Sequence, residues 1–198
     1  GLRKVLRMAR VIDNKDHWIA GDSVLVQVGD VLDRGDDERA ILELLAALRT
    51  EAPKVGGKVV TLLGNHEVMN ASGDFRYVTA GGLSDFDSTP GLELTATAGR
   101  DLKPNEARRK AFEPGGPWAR RIARFGVVVI VGDTLFVHAG LLPAHAKYGL
   151  SRINREARMW LLGDGRFPEY LGRGDSPVWT RFYAASDKAT CLVLDKAL

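Results

Sequence analysis

A single cysteine, Cys191, stands in the chain of 198 residues, so no intrachain disulfide is possible and no thiolate metal cluster can form. That usage fits a reducing compartment. No apolar run approaches the roughly 18 residues a transmembrane helix needs, and the opening residues are not expected to form a signal peptide. The expectation is a soluble protein, cytoplasmic or organellar, with no membrane partner. An excess of one charge is also lacking, since 28 basic residues face 25 acidic ones for a formal charge of +3. This balance does not argue for nucleic acid. The densest basic stretch, "RRKAFEPGGPWARRIAR" from Arg108 to Arg124, is a candidate phosphate-binding patch, but by itself it reads as the solvated face of a helix. Nothing in the composition speaks to the oligomeric state.

What is present is enough to fold. With 45% hydrophobic residues, the chain can bury a sizeable core as one domain with a small insert. "SVLVQV" (Ser23 to Val28), "KVVTLL" (Lys58 to Leu63) and "TLFV" (Thr134 to Val137) are short apolar runs of the kind that form buried strands. Between the first two, "ERAILELLAAL" (Glu38 to Leu48) places apolar residues at helical spacing, with Gly56 and Gly57 as a stop signal. Strand, helix, strand predicts a parallel pair with a crossover helix, hence an α/β fold. "VVVIVGDTLFV" predicts a hairpin turning at Gly132-Asp133. From Asn70 to Pro117 the pattern dissolves into Gly, Ser, Asp and Pro, which predicts an insert of helices and turns above one end of the sheet. "SRINREARMWLL" (Ser151 to Leu162) reads as a further helix.

Each strand runs into a polar cluster: Gly29-Asp30, Gly64-Asn65-His66-Glu67 and His138-Ala139-Gly140. In open α/β sheets, ligands collect at the carboxyl ends of strands, so the chain aims Asp30, Asn65, His66 and His138 at one place. Oxygen and imidazole donors without cysteine suit Mn, Fe or Zn in a two-metal site rather than a structural zinc. Asp30 is able to bridge two ions, and Asn65 offers a neutral carbonyl oxygen. Cations seated there make the acid-rich "GDVLDRGDDE" tolerable. Any one cluster alone reads as a turn or a core histidine, and Asp36, Asp37 and Glu38 read as acids favouring a helix N-terminus. His17 and His145 read as surface histidines.

"GDVLDRG" (Gly29 to Gly35), "GNHE" (Gly64 to Glu67) and "HAG" (His138 to Gly140) resemble, in order and spacing, the central motifs of the metal-dependent phosphoprotein phosphatases within the calcineurin-like phosphoesterase superfamily. The flanking "LLGNHEVMN", "FVHAGLLPAHAKYGLSRINRE" and "DSPVWTR" are similar to the Shewanella-like phosphatase branch. The resemblance implies a metallophosphoesterase-type β-sandwich flanked by helices and two divalent ions. It also implies hydrolysis of phosphomonoesters on phosphoprotein substrates by a metal-bridging hydroxide. Carried over, it makes Asp30 the bridging ligand, with Asn65 and His138 on the second metal. Arg34 grips the phosphate, with Arg181 as a second clamp, and His66 is the general acid held by Asp33.

The family also has a Gly-Asp-x-His-Gly motif, which would lie just before the helix that "LRKVLRMARVID" resembles, and a Gly-His-Thr turn, which would follow "CLVLDKAL". The expectation is therefore an internal fragment, residues 1–198 of a single domain incomplete at both termini, with an insert at about 70–117. Asp85 to Thr89 ("DFDST") matches an Asp-x-Asp-x-Thr phosphatase pattern, but that chemistry needs a strand before Asp85, and "VTAGGLS" is too glycine-rich for one. Two readings compete with the phosphatase: a dinucleoside polyphosphate hydrolase of the same superfamily, and an inactive phosphoprotein-binding pseudo-phosphatase. The Arg-Gly-Asp triplets at Arg34 and Arg173 read as part of the phosphatase motif and as a turn.

Overall fold

A computed structural model describes residues 1–89, 105–184 and 188–197. In chain order its main elements are α1 (Leu2–Met8), β1 (Val24–Gln27), α2 (Glu38–Glu51), β2 (Lys58–Thr61), α3 (Asn65–Ala71), α4 (Ala80–Ser84) and α5 (Glu106–Phe112). There follow α6 (Pro117–Ile122), β3 (Val128–Val131), β4 (Thr134–Val137), α7 (Pro143–Tyr148), α8 (Leu150–Leu162) and α9 (Lys188–Asp195). The structure bears out the α/β class.

Strands β1 and β2 are parallel, with Val24 opposite Lys58 and Gln27 opposite Thr61, and α2 is the crossover between them. That helix runs to Glu51, three residues past its apolar repeat, and tightens into a 3₁₀ turn over Ala52–Val55. Gly56 then ends it in the left-handed conformation, φ 84°, which a side chain would resist. Strands β3 and β4 form the expected antiparallel hairpin around Gly132-Asp133, with Val131 opposite Thr134. The two sheets meet where Leu62 bridges Gly126 in parallel sense. Within the described residues each sheet has two strands, so helices supply most of the packing.

Helix α8 shows how that packing is aimed. Its buried residues Ile153, Ala157, Trp160 and Leu161 fall at the i, i+4, i+7, i+8 spacing of one helical face. Asn154 beside them accepts the Val127 and Val128 N–H groups at 2.8 and 3.1 Å and donates to the Val128 carbonyl at 2.8 Å. One amide side chain thereby registers α8 against the start of β3.

Helix α2 lies between two cores. Leu42 and Leu45 enter the larger cluster with Leu63, Phe112, Trp118 and Ile153. Leu44 and Leu48 enter a smaller one with Leu6, Ile12, Trp18 and Val59. The region expected to hold an insert is anchored by Phe86, whose ring stands edge-on to Phe112 at 4.8 Å and to Trp118 at 5.1 Å. Its described part consists of short helices and turns, and residues 90–104 lie outside the described residues. Asp85 is the C-cap of α4 rather than the end of a strand, so the Asp85 to Thr89 pattern lacks the support its chemistry needs.

Two surface readings are corrected. Arg108, taken as part of a solvated face, is fully buried. His145 is buried too, because its Nδ1 accepts the Leu142 N–H at 3.1 Å and caps α7, and burial holds its pKa below the usual value. Glu38 does stand in the first turn of α2, as read from the sequence, and is 1% exposed there. His17 does lie on the surface, paired with Glu51 at 3.1 Å.

Candidate active site

Strand β1 stops at Gln27 because the chain must turn sharply to pass the start of α3. A Cβ on Gly29 would lie 2.4 Å from the Gly64 nitrogen, and one on Gly64 would lie 2.2 Å from Asp30 Oδ1. Only glycine at both positions lets the two motifs approach this closely. Beyond Gly29 the backbone is held in an unusual state: Asp30, Asp33 and Arg34 all have positive φ, at 57°, 73° and 57°. Each such residue costs about 1 kcal/mol or more unless its surroundings impose it.

The surroundings do so through hydrogen bonds. Glu67, with no solvent exposure, accepts the N–H groups of Gly64, Asp30, Val31 and Leu32 at 2.7, 2.9, 2.8 and 3.1 Å. Glu38 accepts the Asp33 N–H, and the Tyr77 carbonyl accepts that of Arg34 at 3.1 Å. Every N–H from Asp30 through Arg34 therefore has an acceptor. Burial pushes the Glu67 and Glu38 carboxyls up, while these N–H groups, and Arg108 for Glu38, pull them back.

Within this frame the side chains converge. The His66 ring is 3% exposed and its Nδ1 lies 2.5 Å from Asp33 Oδ2. Its Nε2 lies 2.8 Å from Arg34 Nη1. A guanidinium only donates, so Nε2 carries the lone pair and Nδ1 carries the proton given to Asp33. The other oxygen of Asp33 receives Asn70 at 2.9 Å and Arg108 at 3.3 Å. Arg108 also bonds Glu38 at 2.5 Å, Asn70 at 2.7 Å and the Gly82 carbonyl at 2.7 Å. Arg34 rests on the Tyr77 ring, 4.6 Å from its centroid.

A second group adjoins the first. His138 Nε2 lies 3.0 Å from Asn65 Oδ1 and 3.3 Å from Asp30 Oδ2, and Asp30 Oδ2 is 3.9 Å from His66 Nε2. His138 Nδ1 lies 2.8 Å from the Val28 carbonyl, which fixes that nitrogen as the donor and leaves Nε2 free to bind. Donor separations of 3.0 and 3.3 Å match the edge of about 3 Å between neighbouring ligands of an ion with ~2.1 Å bonds. Asp30, Asn65 and His138 thus fit one side of a divalent cation site. Among the described residues no three His, Cys, Asp or Glu side chains form such a group by themselves. Burial lowers the His138 pKa, but Asp30 and the Val28 carbonyl outweigh it and raise the net value. For Asp30, burial raises the pKa and His138 brings it below the usual range.

Six of the seven residues singled out in the sequence are therefore brought together: Asp30, Asp33, Arg34, Asn65, His66 and His138. Arg181 is not among them. It is exposed, and its guanidinium bonds the carbonyls of Trp179 and Thr180 at 3.0 and 3.3 Å. Its segment packs on the His138 turn, where the Pro177 carbonyl accepts the Ala139 and Gly140 N–H groups. Sequence reasoning gave no role to Glu67, Asn70 or Tyr77, and read Glu38 as a helix N-terminal acid and Arg108 as part of a basic helix face. Glu67, Glu38 and Asn70 lay inside the quoted motifs, whereas Tyr77 did not.

Residues 1–190 match the family model of the calcineurin-like phosphoesterases. Shewanella-like protein phosphatase 2 of Arabidopsis thaliana is 41% identical over 99% of this chain and 58% of its own length. Among solved structures, a point mutant of a cold-active protein tyrosine phosphatase superposes with a TM-score of 0.76 at 25% identity, over 98% of this chain and 56% of the other. The cold-active protein-tyrosine phosphatase of a psychrophilic Shewanella species shares the fold, with a TM-score of 0.73 at 22% identity over 98% and 57%. The chain spans little more than half the length of these relatives. A family match over 190 residues places the chain in the calcineurin-like phosphoesterase family, which implies divalent metal ions.

Proposed function

We propose that this chain carries the reaction centre of a metal-dependent phosphoprotein phosphatase that hydrolyses phosphomonoesters. The observation behind this reading is the line Asp33, His66, Arg34 set beside the donors Asp30, Asn65 and His138. Asp30, Asn65 and His138 would hold metal, with Asp30 shared between two ions of Mn, Fe or Zn type. Bound divalent ions there would neutralise phosphate charge and make water acidic enough to attack phosphorus. We read residues 1–198 as one metallophosphoesterase unit with the insert near 70–117, since the larger core runs from Val31 to Val178.

The chain's own residues do the rest. Arg34 offers a planar fork to phosphate oxygens. While it donates to His66 Nε2 that nitrogen cannot act as an acid. A phosphate that draws Arg34 away frees Nε2 to take a proton from solvent, Asp33 stabilises the charged ring, and Nε2 then passes that proton to the leaving oxygen. Glu67 and Glu38 keep Asp30 and Asp33 on their positive-φ backbone, and the Tyr77 carbonyl does the same for Arg34, so the site is organised before substrate arrives. Arg181 would serve as a second clamp by exchanging the Trp179 and Thr180 carbonyls for phosphate oxygens.

The test is hydrolysis of an aryl phosphate, with and without manganese, by the chain and by His66→Asn. The expected outcome is manganese-dependent turnover that falls about a hundredfold or more in His66→Asn. Equal turnover by the two proteins would overturn the acid assignment. A folded chain that binds a phosphopeptide without cleaving it would favour the pseudo-phosphatase.

A further inference from the structure

Two adjoining grooves of about 410 and 530 Å³ meet at Arg49, Thr61, Arg124 and Phe125. Between them they are lined by Arg49, Lys58, Arg120, Arg121, Arg124 and Arg158. Among the described residues no carboxylate lies within 4.0 Å of any of these six cations; the ion pairs found involve other residues. Three of them are held instead by neutral partners. Arg121 lies over the Trp118 ring, 4.2 Å from its centroid. Arg120 Nε donates to the Gly115 carbonyl at 2.8 Å, and Arg49 Nη1 to the Arg124 carbonyl at 3.3 Å. Such contacts fix direction without cancelling charge.

The grooves stand apart from the candidate active site. Arg49 is in the last turn of α2 and Glu38 in its first, which places them about 16 Å apart along the helix axis at ~1.5 Å per residue. We propose that these grooves dock an acidic peptide segment of a partner protein. Three features favour a peptide over nucleic acid. The floor between the cations is apolar, formed by Leu42, Leu45, Ile122 and Phe125. The wall includes the edge of β2 facing away from β1, where the bridge from Leu62 to Gly126 is the pairing found among the described residues, so an extended backbone can add there. Trp118 is buried beneath Arg121 rather than presented for base stacking. Arginine outnumbers lysine five to one in the lining, as suits planar recognition of carboxylates. Burial and the neighbouring Arg124 and Arg158 hold the Arg49 guanidinium below its usual pKa, as expected of cations awaiting an anion.

The proposal rests on no part of the phosphatase reading and is tested by binding alone. A fluorescein-labelled peptide of alternating Glu and Leu is titrated with the chain at low salt and followed by anisotropy. Affinity is expected to fall at least about tenfold in the Arg49→Gln/Arg124→Gln double variant and to weaken as salt rises. Arg166→Gln, in a separate cavity, is expected to bind within about twofold of the parent, taken as the margin of such a titration. The proposal is overturned if the double variant binds like the parent. It also fails if a single-stranded oligonucleotide of equal charge binds more tightly with the same sensitivity. Thermal unfolding supplies a second reading: relief of repulsion leaves the melting temperature unchanged or higher in the double variant, whereas a marked fall would assign these arginines to the fold.

Discussion

Arg108 donates to Asp33, Glu38, Asn70 and the Gly82 carbonyl, and none of its side chain reaches solvent. Among the described residues it is the one arginine or lysine in contact with the buried carboxylates of Asp33 and Glu38. Arg108→Met keeps much of the volume and removes the charge, leaving both acids uncompensated. Loss of one partner from a buried ion pair costs about 3–5 kcal/mol, so urea unfolding of Arg108→Met is expected to show a loss of that order. A change below about 1 kcal/mol, the size of an exposed pair, would show that Arg108 holds nothing in place. Glu67→Gln tests the neighbouring frame. The amide keeps the shape but turns an NH₂ toward backbone donors, and leaving two of them unmatched costs about 2–4 kcal/mol in the same measurement.

At the scale of elements, α2 does two things at once. Its first residue, Glu38, closes the loop that carries Asp33, while Leu48 three turns later is completely buried in the smaller core. Leu48→Ala is expected to cost about 2–5 kcal/mol, as other fully buried leucines do. Its effect on the site should be slight, because the residue packs with Leu6, Ile12 and Val59 rather than with Asp33. The measurement is unfolding by urea beside metal affinity, and a lost affinity at full folding would contradict this separation. Elements of this kind were legible in the sequence. The helical repeat of Glu38 to Leu48 and the hairpin at Gly132-Asp133 are local patterns, and local patterns survive folding unchanged. The caps were less legible, since His145 on α7 acts through a backbone N–H that sequence spacing does not disclose.

For the whole molecule, the proposed ion would couple metal binding to folding. Asp30, Asn65 and His138 come from three separate strand-to-helix or strand-to-loop junctions, so an ion bound by all three ties those junctions together. Manganese at about a hundred times its dissociation constant should stabilise the chain by ~2.7 kcal/mol. For a chain of this size that is a rise of about 5–10 °C in melting temperature. His138→Ala should abolish the rise without unfolding the chain, because its ring is on the partly exposed side of the site. A rise that persists in this variant would mean that the ion binds elsewhere.

By itself the sequence determined the strands, the helices at Glu38 to Leu48 and Ser151 to Leu162, and six of the residues that meet at the site. Those features lie in short motifs where glycine, carboxylate and imidazole sit within a few positions of one another. Only the tertiary structure decided what the remaining charged residues do. Arg108 and Glu38 are 70 positions apart, Arg108 and Asp33 are 75 apart, and Glu67 and Asp30 are 37 apart. A carboxylate on a helix end and an arginine in a basic run look the same in sequence whether they face water or each other. The difference arises when the core around Phe86, Phe112 and Trp118 closes and removes the water that would otherwise have solvated them.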